Sequence, residues 1–406
     1  MIATAASRLR LSDSQRADWL QLIRSDNVGP RTFRGLLNRY GSAGAALEAL
    51  PGLASSVGRS LRVATRDGVM REMEASARRG VSFICLGEPD YPAALLAIDA
   101  PPPVLAVRGN IKILSRAMVA IVGARNASAA GLVLAERLSR GIAETGSVIV
   151  SGLARGIDLR AHQCTLATGT VAVLAGGHNR IYPDDHADLV EQILEHGAVI
   201  SEMPLEWEPR GRDFPRRNRI VSGLSLAVVV IEAALNSGSL ITARFANEQG
   251  REVFVVPGSP LDPRCEGSNN LLRQGATICT KAEDVINALA PLAGPPQPDL
   301  FRESRDDYDS ATEPLWDEAN LFDHADPPPQ SAPRQEMDEP ASTTITQADT
   351  DAASRVTELL GPSPVSLDDL SRLSGLPMAA LRPVLMELEI EGRLLRHGVN
   401  LVSLVV

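Results

Sequence analysis

The sequence lacks long apolar runs and has few cysteines. Nowhere in its 406 residues do about 18 apolar residues follow one another, so no membrane-spanning helix is predicted. The N-terminal segment has no continuous apolar core, and we expect no secretory signal. The four cysteines are scattered without a C-x-x-C pair, which is typical of reduced thiols in a cytosol and speaks against a zinc site. The pattern predicts a cytoplasmic protein.

Several catalytic and cofactor motifs are also missing. The turn Gly123-Ala-Arg-Asn126 carries an arginine where a dinucleotide fingerprint needs glycine, and no G-x-x-x-x-G-K-[ST] occurs. There is no G-x-S-x-G nucleophile elbow and no cluster of metal-ligating residues. We therefore expect no cofactor, no metal and no catalytic residues.

The net charge of −10 is concentrated in one segment. Residues 295–340 contain 13 acids, 3 arginines and many prolines, which accounts for the whole imbalance. High charge with low apolar content predicts a disordered linker, which we place at 291–349. Because the rest of the chain is neutral, overall acidity does not exclude nucleic-acid binding by a local basic surface.

Three folded units are expected around this linker. Residues 1–80 show apolar residues at helical spacing, as in Trp19, Leu20 and Ile23, and indicate a helical (SAM or helix-hairpin-helix-like) domain. The segment Val28–Leu37 resembles the second half of a helix-hairpin-helix, with Pro30 at the first helical position. Phosphate binding and plain helical packing both remain open for it.

Residues 81–290 contain the most regular pattern. Between about 115 and 290, short β-branched runs recur, each followed by Gly or Ser and a helical stretch. Runs that are apolar on both faces are typical of a parallel sheet covered by helices. The pattern predicts an α/β, extended Rossmann-like, doubly wound sheet. The runs are 118–122, 147–150, 170–174, 198–200, 226–231 and 253–256.

Residues 350–406 are expected to form a winged helix, with three helical stretches followed by a hairpin. The candidate recognition helix carries Arg382 but also Glu387, Glu389 and Glu391, an unfavourable face for DNA. This favours a protein-interaction or autoinhibitory module over a DNA reader.

An arginine-rich run is the strongest sign of a binding surface. Arg210–Arg219 contains five arginines and one acid, and arginine grips phosphate bidentately. We interpret it as one of four turns at the carboxyl ends of the strands, beside 123–126, 151–158 and 236–242. Together they predict a groove for an anionic strand. Pairing of Asp158 with His162, and a base or capping role for Glu232, stay open.

These motifs resemble the DNA-processing protein family DprA, also called Smf. The resemblance rests on six segments that occur in order: Ser151–Asp158, Ala175–Pro183, Ser201–Pro204, Phe214–Ile220, Ser237–Ala243 and Val256–Pro260. It implies a bacterial cytosolic protein that binds single-stranded DNA, protects incoming DNA and loads the RecA recombinase during natural transformation. It also implies a homodimer.

The resemblance further implies which residues contact the strand. Arg125 and the arginines of 216–219 would bind phosphate, Phe214 would lie near a base, and the glycine-rich turns would complete the pocket. The implied DNA-binding set is Gly123, Arg125, Ser151, Gly152, Arg155, Phe214, Arg216, Arg217, Asn218, Arg219, Gly238 and Ser239. A weaker similarity, to the lysine-decarboxylase-like phosphoribohydrolases, leaves a nucleotide-processing enzyme as the alternative.

Overall fold

The computed structural model describes residues 10–56, 62–290, 347–397 and 400–405. Apart from 347–349, the predicted linker lies outside them. The N-terminal helices are α1 (Asp13–Ile23), α2 (Pro30–Tyr40), α3 (Ala43–Ser56) and α4 (Arg66–Arg78). Helix α1 starts with a capping box in which Ser12 and Gln15 bond each other's backbone amides. Helix α2 begins with Pro30 and ends at Gly41, whose left-handed φ of 77° suits glycine.

A mixed sheet forms the centre of the molecule. Its described strands run in the order β1-β2-β6-β5-β4-β3-β7-β8-β9, and β3 to β9 pair in parallel. Their bounds are β1 (Val81–Cys85), β2 (Val104–Gly109), β3 (Met118–Gly123), β4 (Val148–Ser151), β5 (Thr170–Val173), β6 (Ala198–Ser201), β7 (Ala227–Ile231), β8 (Glu252–Val255) and β9 (Thr277–Ile278). This confirms the predicted α/β doubly wound fold, to which β1 and β2 add an antiparallel edge beyond the predicted strands.

Helices cover both faces of the sheet because successive strand residues point to opposite sides. Val119 and Ile121 pack on one face with Leu138 and Ile142, whereas Ala120 packs on the other. The helices of this domain are α5 (Ala93–Leu96), α6 (Ala129–Glu144), α7 (Ile157–Cys164), α8 (Ala187–His196), α9 (Asp213–Leu224), α10 (Gly238–Glu248), α11 (Glu266–Arg273) and α12 (Ala282–Leu289). No helix in the described ranges is long and apolar enough to cross a bilayer.

The chain reverses its direction across the sheet between β3 and β7. From β3 it proceeds through β4 and β5 to β6, and then returns to β7 on the other side of β3. In open α/β sheets such a switch point leaves a crevice at the carboxyl ends of the strands. The turns after β3, β4 and β7 therefore converge on one place.

The C-terminal unit is a winged helix, as predicted. It consists of α13 (Gln347–Leu359), β10 (Val365–Ser366), α14 (Leu367–Ser374), α15 (Met378–Ile390), β11 (Leu394–His397) and β12 (Leu401–Leu404). The three strands form a separate antiparallel sheet in the order β10-β12-β11. Leu370, Leu381 and Leu385 lie in its core, and Ala129 of α6 packs against the same cluster. The unit is thus docked on the central domain.

Candidate nucleic-acid interface

The turn between β3 and α6 is held so that Arg125 points outward. A Cβ atom on Gly123 would lie 1.9 Å from the carbonyl oxygen of Ile231, so only glycine lets β3 approach β7 this closely. The amide of Ala124 donates to that same carbonyl, and the carbonyl of Ala124 accepts from Ile157. Arg125, at the tip of this rigid turn, is exposed.

Arg125 lies beside two aromatic rings from other parts of the chain. Its guanidinium carbon is 5.6 Å from the ring centroid of Phe214, at the start of α9. Tyr182, in the segment after β5, meets the same ring edge-on at 5.4 Å between centroids. Tyr182 is 52% exposed, and Phe214 is half-buried. We call Arg125, Tyr182 and Phe214 the aromatic cluster.

Most of the arginine-rich run is helical instead of the predicted turn, and of its arginines only Arg210 and Arg212 precede the helix. Residues 213–224 form α9, and helical geometry sends its arginines in different directions. Arg217 points inward and is 6% exposed. Its guanidinium donates to the carbonyl oxygen of Val173 at 2.7 Å and to that of Gly152. Arg217 thus joins the ends of β4 and β5.

Burial also governs the charge of Arg217. Removal from water lowers the pKa of Arg217 to about 10, while the nearby Asp158 carboxylate opposes this change. A Cβ on Gly152 would lie 2.3 Å from the Arg217 guanidinium, so the glycine at this position makes room for the arginine. Gly152 therefore has a packing role, and its predicted contact with the strand stays a prediction.

Arg216 and Arg219 lie on another side of α9 and share Glu202. Arg216 donates from Nε to Glu202 at 2.8 Å, and Arg219 binds its second carboxylate oxygen. Arg219 also donates to the carbonyl oxygen of Ala100, and its side chain is only 12% exposed. Arg216 keeps 41% of its side chain exposed. Of these two, Arg216 is the one accessible to a ligand.

The turn after β4 is held by hydrogen bonds to the carboxylate of Asp158. Asp158 accepts hydrogen bonds from the amides of Gly152 and Ala154, and Ser151 donates to the carbonyl oxygen of Ile121. Burial raises the pKa of Asp158, although Arg217 and these hydrogen bonds oppose the rise. Arg155 points outward from the turn. Two amides of this predicted phosphate-binding turn, those of Gly152 and Ala154, are therefore already engaged.

The Asp158–His162 pair predicted as one possibility does not form. His162 is fully buried, and its Nδ1 lies 2.9 Å from the Thr170 hydroxyl. Burial lowers the pKa of His162 to about 3, so it is neutral. Both side chains serve packing within α7 and its neighbours.

Glu232 fills the N-terminus of α6. Its carboxylate accepts from the backbone amide of Ser128 at 2.8 Å and from the Ser128 hydroxyl. A Cβ on Gly131 would lie 2.6 Å from that carboxyl group, so glycine in the first turn of α6 admits it. Helix N-termini attract phosphate in nucleotide-binding sheets, and here an internal anion holds that position. Of the two roles left open for Glu232, the geometry is that of a cap.

The turn after β7 reaches the same crevice from the other side. Asn218 of α9 donates to the carbonyl oxygen of Gly238 at 3.1 Å. Gly238 is exposed, whereas Ser239 is buried and bonds the hydroxyl of Ser237 at 2.6 Å. Asn218 and Ser239 thus shape this turn, and Gly238 offers accessible backbone.

Sequence reasoning missed Tyr182. It lies in the Ala175–Pro183 segment that the resemblance uses, directly before Pro183, but nothing in its spacing assigns it to the surface. The available signal was an aromatic residue within the glycine-containing segment that follows β5. Among the described residues no group of His, Cys, Asp or Glu is arranged to hold a metal ion.

The sequence matches a known protein family over the whole central domain. Residues 82–290 match the family described as DNA recombination-mediator protein A. The chain belongs to this family. Two smaller units match as well: residues 13–75 as a DprA-like N-terminal HHH domain, and 338–398 as a DprA winged helix domain.

Individual DprA relatives are similar over the same region. The DNA processing protein DprA of Bacillus subtilis is 43% identical over 222 residues, which cover 54% of this chain and 75% of that protein. Protein Smf of Synechocystis is 34% identical over 296 residues, or 70% of this chain and 74% of that protein. The crystal structure of DprA from Streptococcus pneumoniae aligns with a TM-score of 0.54 and 28% identity, covering 69% of this chain and 98% of that chain.

Proposed function

We propose that the protein binds single-stranded DNA at the aromatic cluster and the exposed backbone around it. The observation that carries this proposal is that Arg125, Tyr182 and Phe214 meet at the switch-point edge of the sheet. Arginine supplies charge for a phosphate, and an exposed aromatic face stacks on an unpaired base. Arg155 and Arg216 add charge on neighbouring elements.

A single strand fits this arrangement better than a duplex. The bases of a duplex are stacked on each other and present only their edges, so an aromatic ring at a turn has no base face to cover. A flexible strand lets one nucleotide turn its base toward Tyr182 while its phosphate meets Arg125. The cluster therefore favours unpaired nucleotides of any sequence.

In the cell, the bound strand would be passed to a recombinase. Membership of a family of DNA recombination mediators supports this role. We infer that the protein is a cytoplasmic homodimer that protects incoming single-stranded DNA and loads the RecA recombinase on it during natural transformation. Stimulation of RecA strand exchange by the pure protein, with Arg125→Ala as the comparison, tests the loading step.

Filter binding over a salt series tests the binding proposal itself. Each arginine–phosphate contact on a single strand contributes a slope of about −0.7 in log K against log salt, so Arg125, Arg155 and Arg216 together give about −2. Duplex DNA should bind more weakly at every salt concentration. Equal affinity for the two forms, or an affinity independent of salt, would contradict the proposal.

The alternative function, nucleotide processing, is tested on the same purified protein. It requires a carboxylate free to act near the glycines, but Glu232 is 7% exposed and engaged at the N-terminus of α6. We expect no release of base or phosphate from nucleoside monophosphates. Hydrolysis by the wild type that is lost in a Glu232→Gln variant would support the alternative function, a nucleotide-processing enzyme.

A further inference from the structure

The winged helix is docked beside the aromatic cluster. Ala129, the first residue of α6, is completely buried and packs in the winged-helix core. This residue lies four positions after Arg125, at the end of the same turn. The domain predicted as an interaction or autoinhibitory module therefore contacts the element that presents Arg125.

One carboxylate forms ion pairs with arginines of both domains. Glu136 of α6 binds Arg160 of α7, and Arg372 of α14 reaches the same carboxylate from the winged helix at 2.7 Å. Burial raises the pKa of Glu136, but the hydrogen bonds from Arg372 and Arg160 lower it more, and the net pKa lies below its usual value. Glu136 is therefore charged at neutral pH, and Arg372 has an anionic partner throughout that range.

A second polar contact ties α13 to the loop before α11. Arg264 is held by Asp262 and donates to the carbonyl oxygens of Glu358 and Leu360, each at 3.2 Å. A cation at the C-terminus of a helix also complements the helix dipole. Docking thus rests on an apolar contact at Ala129 and two polar contacts on either side of it.

The docked domain encloses one side of the Arg125 turn. Arg125, Asn126 and Gly156 form one wall of a crevice, and Glu358 and Leu359 of the winged helix belong to the other. The crevice has a volume of about 230 Å³. Pockets that hold a drug-sized ligand span about 300–1,000 Å³, so this space is smaller than a typical ligand pocket while the winged helix is docked. The winged helix contributes one charge of each sign to the lining, Arg355 and Glu358.

We propose that docking of the winged helix on α6 and passage of a DNA strand along the Arg125 turn exclude each other, so that the winged helix is an autoinhibitory domain. This inference rests on the proposed single-strand binding. A strand that continues past Arg125 toward Asn126 must release the winged helix first. Part of the binding energy of a long strand is then consumed in undocking.

Weakening the docking contact should tighten DNA binding. If about one molecule in ten is undocked, full release raises the apparent affinity about ten-fold. Arg372→Glu weakens docking from the winged-helix side, and Ala129→Gln does so from the α6 side without changing charge. Both full-length variants should bind an oligothymidylate of about 30 nucleotides more tightly than wild type.

A matched control separates docking from charge. Arg382→Glu makes the same charge change on an exposed position of α15. An added negative charge by itself weakens DNA binding, so tightening by Arg372→Glu cannot be a charge effect. We expect Arg382→Glu to bind at the wild-type level or slightly more weakly.

Hydrogen exchange on the full chain reports docking directly. Addition of the oligothymidylate to wild type should increase amide exchange in Leu367–Ser374 and decrease it around Arg125. In Arg372→Glu and Ala129→Gln, exchange in Leu367–Ser374 should already be raised without DNA. A winged helix that itself bound the strand would show the opposite sign, with protection in α14 and α15.

The outcomes distinguish the two proposals. Absence of single-strand binding in every protein overturns the proposed function. Wild-type affinity in both docking variants, together with unchanged or decreased exchange in Leu367–Ser374 on DNA addition, overturns only the autoinhibition. A loss of affinity in both variants would instead make the winged helix part of the binding surface.

Discussion

The guanidinium of Arg125 lies over the ring of Phe214, with 5.6 Å between its central carbon and the ring centroid. The ring thus orients a charge that would otherwise move freely on a long side chain. Because Tyr182 contacts the same ring from another direction, Phe214 fixes both outer members of the cluster. Its half-buried position suits a support for the two residues that are exposed.

Tyr182 is the side chain placed to stack on a base. Tyr182→Ala should lower single-strand affinity by about 1–3 kcal/mol, the usual value for one aromatic–base contact. The slope of log K against log salt should stay unchanged, because no charge is removed. Fluorescence anisotropy at several salt concentrations measures both quantities. Tyr182→Phe keeps the ring and serves as control; a loss as large as that of alanine would contradict stacking.

Arg125→Ala should change both affinity and salt dependence. Loss of one charge-assisted hydrogen bond costs about 1–2 kcal/mol, and the slope should become shallower by about 0.7. Arg39→Ala is the matched control, since Arg39 lies over the ring of Tyr40 in a similar pair at the end of α2. An equal effect in the two variants would show a nonspecific response to net charge.

Arg217→Ala should lower the stability of the folded protein more than it lowers the affinity for DNA. The arginine lies buried between two carbonyl oxygens and near Asp158, and removing one partner of a buried charged group costs about 3–5 kcal/mol. Urea denaturation should show this loss, with Arg217→Lys intermediate. Arg216→Ala, on the exposed side of the same helix, should cost about 1 kcal/mol or less. Wild-type stability of Arg217→Ala would disprove the structural role.

The sequence predicted the parallel strands and the turn that presents Arg125, because β-branched runs followed by glycine are local signals. It did not predict the direction of Arg217. Periodicity separates Arg216 and Arg219 from Arg217 on a helix, but α9 buries Ser222 and Gly223 besides apolar residues, so no apolar stripe reveals its inner face. The sequence therefore predicted all the DNA-binding residues on one surface. In the structure some of them are exposed, some are half-buried and some are buried.

Contacts between distant segments were also beyond the sequence. The Glu232 carboxylate accepts a hydrogen bond from Ser128, which precedes it by 104 positions. Arg372 donates to Glu136 from another domain. Neither pair has a spacing that a local pattern encodes. The antiparallel strands β1 and β2 were not predicted for a related reason: β1 pairs with β2 and β2 with β6, and these pairings depend on the assembled sheet.

The acidic segment should compete with DNA electrostatically. Residues 295–340 carry a net charge of −10, and their covalent attachment gives them a high effective concentration near the basic surface. Replacing their acids by Asn and Gln in the full chain should tighten binding at low salt. The advantage should fade as salt rises, because screening shortens to about 10 Å at 0.1 M. A gain that persists at high salt would point to another cause.

Acidification should destabilise the protein through buried histidines. Burial lowers the pKa of His178 to about 4, so the folded state binds the proton less readily than the unfolded state. The stability this contributes is complete above about pH 6.5 and is lost as the pH falls toward 4, about 2 kcal/mol by pH 5. Urea denaturation at pH 7 and 5 measures the loss. His178→Gln should show a loss smaller by that amount; an identical loss would mean that His178 does not titrate.

The carboxylate of Glu232 at the head of α6 has a consequence for selectivity inside a cell. Cells contain much free ATP and other mononucleotides, each an anion that a vacant helix N-terminus attracts. Here that position is permanently taken, so a lone nucleotide finds only the weak outer contacts at Arg125 and its neighbours. A polymer makes several such contacts at once, and their sum increases with length. We therefore expect the proposed site to bind a DNA strand in preference to the more abundant mononucleotides.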